Sequence, residues 1–426
     1  MVLDGGLQAH LDAADPHTQY LKEEDLLKQA TLSLDFVNNK YEVYEGVVDG
    51  MTQMPFNTAL DFTRGSSATA RTATGKIQGV LTDEQRLVGN REGLLMEEQR
   101  TNLITYSEQF DNAAWSKTGA SISADATIAP DGLTSADAVT EDSGGTSEHK
   151  VIQSMTTIAG EIAFTVFVKK KDGGRDWFFI REEIDGSLTN SFYNIEDGTL
   201  GAIGSGKIGS IENAGNGWFR VALTQTATAQ TSDLSFGIAE SDGVYNYTGD
   251  GTSGIYVWGA QLEEGSFPSS YIPTAGTQVT RAADDCVRTL GDEFNPEAFT
   301  LYIDGVGGHT VSLNEGAVNV FDNTLIMGQL NEQDDVYFSS KNNDVGQFSA
   351  RNSSASGQKM AVSITNGGEA RGYLDGVLFM SESNVLTPNN LRFLYIETRV
   401  KGTTSDIQLY PTAFSEAELI TLTGGT

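Results

Sequence analysis

Residues 215–223 read G-N-G-W-F-R-V-A-L, and this run decides the fold. Successive side chains of a β-strand point to opposite sides, so Phe219, Val221 and Leu223 share one face while Trp218, Arg220 and Ala222 share the other. Gly215, Asn216 and Gly217 ahead of it make a turn. The same period-two pattern sets Phe164, Val166 and Val168 against Thr165, Phe167 and Lys169, and it places Phe299, Leu301 and Ile303 together. Short alternating strands at turn-limited spacing describe packed antiparallel sheets, which makes the chain all-β. Composition agrees, since 47 Gly stand beside 8 Pro and 1 Cys in 426 residues.

That length exceeds what one hydrophobic core supports, and four zones separate along it. Residues 1–30 carry a short helix begun by Asp15 and Pro16, with Tyr20, Leu21, Leu26 and Leu27 as its apolar side. Such a helix is either an ordinary N-terminal cap or a neck that packs against copies of itself, because an isolated helix this short is marginal in water. Residues 31–100 read as a small β connector, with L-D-F-V and Y-E-V-Y runs broken by Gly46, Gly50 and the turn at Gly65, Ser66 and Ser67. Residues 101–290 hold the clearest strands. In residues 291–426, Asp375-Gly376 supplies the positive φ angles of a type I′ hairpin, and Ser415 with Glu418 has the spacing of a capping box.

Several segments resemble one group of proteins. The opening H-L-D-A-A-D-P-H-T-Q-Y-L (residues 10–21) resembles the H…DPHxQYL segment of bacteriophage tail-fibre and other tail-associated receptor-binding proteins. A-L-D-F-T-R-G-S-S-A-T-A (59–70) and G-L-L-M-E-E-Q-R-T-N-L-I (93–104) resemble segments leading into a carbohydrate-binding-like module of phage tail proteins. T-Y-S-E-Q-F-D-N-A-A-W (105–115) and G-I-Y-V-W-G-A-Q-L-E-E-G-S-F-P-S-S-Y-I-P-T (254–274) resemble the two ends of that module. The resemblance implies a jelly-roll β-sandwich over 101–290. The Y-L-D-G hairpin and the terminal F-S-E-A-E-L resemble a concanavalin A-like or laminin G-like lectin sandwich over 291–426. It further implies a homotrimer with residues 1–30 as its neck, other tail or virion proteins as partners, and a place in the virion tail after assembly in a host cytoplasm.

Charge constrains the partners. Lys and Arg number 27 against 58 Asp and Glu, a formal net charge of −31. Nucleic-acid affinity comes largely from cations that neutralise phosphates, so DNA and RNA are disfavoured, as are anionic membrane surfaces. A trimer would carry three times that charge and lean on salt or divalent cations. A neutral or partly cationic glycan suits such a surface better than a polyanionic capsule, although plain solubility or a saline habitat explains the charge better than any charge-based recognition. No apolar run is long enough to cross a bilayer, no secretion signal is legible, and Cys286 alone allows no intrachain disulfide.

No catalytic constellation is legible. His10, His17, His149 and His309 form no H-E-x-x-H pattern, although His10 and His17 could meet a metal across a trimer axis or simply cap the helix. G-A-I-G-S-G-K-I (201–208) nearly reads as a phosphate loop, yet Ile208 stands where Ser or Thr must hold magnesium. With Gly209 it is a Gly-rich loop between strands. Carboxylate pairs can be drawn anywhere among 58 acids, so glycan cleavage draws no support from sequence. The expected function is adhesion to host-surface glycan. Competing readings are a glycan-degrading tailspike and a purely structural connector or decoration protein of head or tail.

For the contact, Trp218 and Arg220 either form an outward sugar platform or lie beneath a loop. Tyr245 and Tyr247, in the Gly-flanked loop 243–249, make a second candidate platform, and Trp115, Trp177 and Trp258 are weaker candidates because their apolar neighbours suggest packing. Calcium is the expected ion if one is bound, with Asp242, Asp250 and Asp322 as ligands or as turn-making residues.

Overall fold

The structure, a computed structural model, describes residues 26, 28–44, 51–88, 93–157, 159–184, 187–228, 230–314, 324–329, 335–341, 347–351, 358–383 and 391–424. The expected N-terminal helix, with Asp15, Pro16, Tyr20, Leu21, His10 and His17, lies outside the described residues, as does Asp322. Antiparallel strands dominate the remainder, as the alternation requires. They form two compact units, one of residues 62–91 and 97–284, the other of 1–61, 92–96 and 285–426.

The first unit is a sandwich of two sheets. One orders Ala120–Ile128, Thr134–Glu141, Gly254–Glu264, Gly160–Lys170, Trp218–Ala227 and Ile208–Gly215. The other orders Ser116–Thr118, Ser147–Thr157, Gln230–Ala239, Trp177–Ile184, Ser187–Asn194 and Thr199–Leu200, with Asn246–Tyr247 on Ser147–Thr157. Thr134–Glu141, Ser147–Thr157, Gly160–Lys170 and Trp177–Ile184 switch sheets at every step, the winding of a jelly roll. Between the sheets lie Phe164, Val166, Val168, Val221 and Leu223 from one side and Val151, Phe178, Ile180, Phe236 and Ile238 from the other, all fully buried. Phe236 is the hub, with Phe110, Trp115, Phe178 and Phe164 at centroid distances of 5.6, 5.6, 5.7 and 5.9 Å.

The second unit is built on two long strands, Phe299–Asn314 and Phe393–Tyr410, paired along most of their length. The first half of Phe299–Asn314 also pairs with Gln358–Ile364, and its second half with Thr324–Gln329, so one pair of strands carries two arms of sheet. Register shifts between Asp304 and Gly305 and between Gly307 and His309 mark the change of partner. Glycine is suited to such bends. The Asp375-Gly376 turn has φ of 46° and 78°, as type I′ demands, and joins Ala370–Leu374 to Val377–Glu382. The Ser415 N–H donates to Glu418 Oε2 at 2.7 Å, starting the helix Glu416–Leu422. That helix sets Leu419 and Leu422 on Tyr302, Ala361, Tyr373 and Tyr410, covering the outer face of the sheet.

The separate connector over 31–100 is corrected. Leu32–Asp35 pairs with Phe393–Tyr410, with Leu34 opposite Ile407, and so belongs to the second unit, while residues 62–88 belong to the first. A four-residue strand with Leu32 and Leu34 as its apolar side cannot enclose a core alone and instead extends an existing sheet. The boundary placed at 290 falls at 284, because Cys286 already pairs opposite Ile396.

Candidate functional site

Trp218 and Arg220 do face away from the sandwich interior, but that face is covered. Trp218 is 2% exposed and packs with Ala129, Ala136, Phe167, Trp258 and Tyr271. Its Nε1–H donates to Ile128 O at 3.2 Å. Arg220 donates from Nη2 to Ser269 O at 2.7 Å and Thr165 Oγ1 at 3.1 Å, with its guanidinium 5.6 Å from the Phe167 ring centre. Burial pulls its pKa down, against the pull of Glu263. The outward sugar platform expected at these two residues is therefore corrected. The turn after Ala120–Ile128 and the segment around 269–271 roof it, so both side chains serve packing.

Tyr247 is likewise enclosed. Its hydroxyl donates to Glu141 Oε2 at 2.6 Å, its ring lies 4.6 Å from His149, and Arg175 stands 5.1 Å over it. Burial, then Glu141, drives its pKa far above the usual phenol range. Glu141 also accepts from Arg175 Nη2 and from the Asp250 N–H, each at 2.8 Å, so Tyr247 is one member of a clamp that fixes this loop.

Asp250 spends its oxygens on its own turn, accepting the N–H groups of Thr252 and Ser253, each at 2.7 Å, and the Ser253 hydroxyl at 2.6 Å. Those bonds hold its carboxyl well below the ordinary range. Asp242 accepts the Ala202 N–H at 2.9 Å and ties down the Gly-rich loop, which does run between strands. Among the described residues no three His, Cys, Asp or Glu side chains gather as a metal site. Asp242 and Asp250 thus fit turn-making better than calcium.

Tyr245 is different. The register sets Phe179 opposite Phe192 and Arg181 opposite Asn190, and since Phe178 and Ile180 enter the core, Trp177, Phe179 and Arg181 stand on the outer face. Phe179 and Phe192 form a buried floor, against which half-buried Tyr245 and Trp177 pack. Tyr245 lies 5.8 and 6.3 Å from the two Phe rings, and Arg181 stands 4.6 Å over it. Arg181 is locked there by Nε–H to Asn190 Oδ1 and Nη1–H to Glu148 Oε1, both at 2.6 Å. Burial would raise the Glu148 carboxyl, but Lys150 and Arg181 hold it below its ordinary value. At Gly201 a Cβ would stand 2.6 Å from Trp177 Cζ3, so only glycine lets the loop approach the indole this closely.

The exposed part of this cluster is therefore the half-buried Tyr245 and Trp177, over a buried Phe floor and beside the nearly buried Arg181, chemistry suited to a polar ligand with one apolar face. Phe179 and Arg181 were not singled out in the sequence and Trp177 was ranked low there, although the W-F-F-I-R parity of residues 177–181 places Trp177, Phe179 and Arg181 on one face.

No family model matches the chain, and no curated protein matches it. Among solved structures it is similar to the N-terminal CBM22-1-CBM22-2 tandem domain of Paenibacillus barcinonensis Xyn10C, at 8% identity and a TM-score of 0.25, covering 73% of this chain and 98% of that one. It is also similar to the globular domain of T. cruzi calreticulin, at 7% identity and a TM-score of 0.18, covering 76% of this chain and 90% of that one.

The quoted segments 59–70 and 93–104 meet in a buried ion network. Arg86 donates to Glu97 Oε2 at 2.5 Å and also to Asp284, which accepts from Arg64 at 3.2 Å as well. Arg281 lies 3.5 Å from Glu97. Burial alone would raise the Glu97 carboxyl, but Arg86 and Arg281 hold it down at about 2. All these side chains are at most 2% exposed, so the network is a fastening and not a reaction site.

Proposed function

We propose that the chain is a non-enzymatic adhesion protein of a virus particle, a tail-fibre-type receptor-binding protein that holds host-surface glycan on the Tyr245 face and assembles as a homotrimer. The observation that carries the glycan reading is the pairing of half-buried Tyr245 and Trp177 with the locked guanidinium of Arg181. A pyranose ring can lie on an aromatic face while its hydroxyls meet Arg181, Asn190 and Glu148. The tail placement draws on the sequence resemblance of residues 10–21 and 93–115.

The test is a host-cell pull-down with the full chain and with Tyr245→Ala and Trp177→Ala. Each change is expected to weaken adhesion at least tenfold, about 1.4 kcal/mol, read well below the melting temperature so that the lost packing does not enter the measurement. Release of reducing sugar from purified host polysaccharide would overturn the non-enzymatic part. Absence of adhesion by the unaltered chain would leave the connector reading instead. Light scattering on the full chain should return a trimer mass, and a monomer at micromolar concentration overturns that assembly.

A further inference from the structure

His149, on the strand Ser147–Thr157, is 1% exposed and lies against the loop that carries Tyr245. Its Nδ1 stands 2.5 Å from Gly119 O and its Nε2 3.2 Å from Tyr247 O. Both partners are backbone carbonyls, which only accept hydrogen bonds. A neutral imidazole has one N–H and one lone pair, so it would satisfy one carbonyl and turn its lone pair on the other. The imidazolium donates to both. Its charge also lies beside the Tyr247 ring, at a centroid distance of 4.6 Å.

The backbone closes tightly on this ring. A Cβ on Gly249 would stand 2.8 Å from His149 Cε1, and one on Gly119, whose φ is +56°, would stand 3.2 Å from Nδ1. The charged groups of the elements packed here are few. Glu141 accepts from the Tyr247 hydroxyl and from Arg175, the Asp142 N–H donates to Gly119 O at 2.9 Å, and the Asp250 N–H donates to Glu141. Lys117 is directed to Asp111 O and Asn112 O, each at 3.0 Å, and Ile238 stands opposite His149 in the register. One strand thus acts on both of its faces. Glu148 holds Arg181 over Tyr245, while His149 grips the root of the Tyr245 loop, where Asn246 and Tyr247 pair opposite Glu148 and Ser147.

We propose that His149 is a positioning residue for the Tyr245 face, holding Gly119 O and Tyr247 O as an imidazolium, so that ligand binding there weakens when the ring gives up its second proton. The inference rests on the reading that Tyr245 and Trp177 hold the glycan. Histidine changes charge between about pH 5 and 8. Because the doubly protonated ring is the one that holds the loop, binding falls as pH rises.

NMR on the full chain, with labelled histidine and tyrosine, tests the grip without any ligand. At pH ~5.5 the His149 ring should show two N–H groups, and the Tyr245 ring resonances should move with the same midpoint as the His149 nitrogens. His149→Gln, which can donate to only one of the carbonyls, should abolish that movement. Host-cell adhesion should be at least about fivefold weaker above the midpoint than below it, and His149→Gln should hold it at the weaker level throughout. Tyr245→Ala should remove adhesion at every pH and leave the two N–H groups in place, so a failure of the glycan reading shows in the adhesion arm alone. Three results would overturn the proposal: a singly protonated His149 at pH ~5.5 with Tyr247 still docked, Tyr245 resonances that share no midpoint with the ring, or an unchanged pH profile in His149→Gln.

Discussion

Trp218 fills space between Phe167, Trp258 and Tyr271, with its one polar atom bonded to Ile128 O at 3.2 Å. Trp218→Ala leaves a large cavity and an unpaired carbonyl, so calorimetry should show a loss of about 3–5 kcal/mol. Adhesion by the fraction that remains folded should be unaffected.

Asp406 poses the opposite problem. The register places it directly between Asp35 and Asp304 on neighbouring strands, with Lys359 opposite Asp304 one strand further on. Burial, then Asp35, pushes its carboxyl up to about 8 from an ordinary 3.8. Because the folded pKa lies above the unfolded one, the folded chain holds this proton more tightly, and stability falls as pH rises from 3.8 to about 8. Asp406→Asn should flatten that slope and melt above the unaltered chain at pH ~9. Glu97 runs the other way: the stability from its depressed pKa is fully present above 4.5 and is lost as pH falls through about 2.

At the scale of elements, the ion network fastens the hairpin text of residues 62–88 to the sandwich. Arg86→Ala strands Glu97 and Asp284 without their cation, and denaturant melts should register a loss of about 3–5 kcal/mol. Arg86→Lys should recover little, since an ammonium cannot reproduce the fork that meets both carboxylates. None of this was legible beforehand. Arg64 and Asp284 stand 220 residues apart, and in the sequence each reads as an ordinary surface charge. The strands themselves were legible, because parity along residues 164–168 and 218–223 depends only on neighbours. So were the Asp375-Gly376 turn and the Ser415 cap, which are local chemistry. The choice left open at Trp218 has a non-local cause: parity tells which way a side chain points, whereas its roof comes from residues about 90 positions earlier and 50 later. Trp177 ranked below Tyr245 in the sequence, since apolar neighbours look alike whether they lie in a core or floor an outer face.

For the whole molecule, a net charge of −31 means that acidic groups repel one another in any compact state. Raising NaCl from about 0.02 to about 0.5 M shrinks the screening length severalfold and should raise the melting temperature. A fall would show that the exposed pairs, such as Lys170 with Asp176 and Glu196, outweigh the repulsion. The partition of the chain between its two units also sets a timetable. Leu32 pairs opposite Leu409, so the strand Leu32–Asp35 waits for a partner made almost four hundred residues later. At about 5–20 residues per second that interval is on the order of tens of seconds. Residues 62–284 have their own core and can close long before. A nascent chain stalled at residue 392 should therefore already protect its sandwich from protease while Leu32–Asp35 is still cut, and the cell must shelter Leu32 and Leu34 until Leu409 has been made.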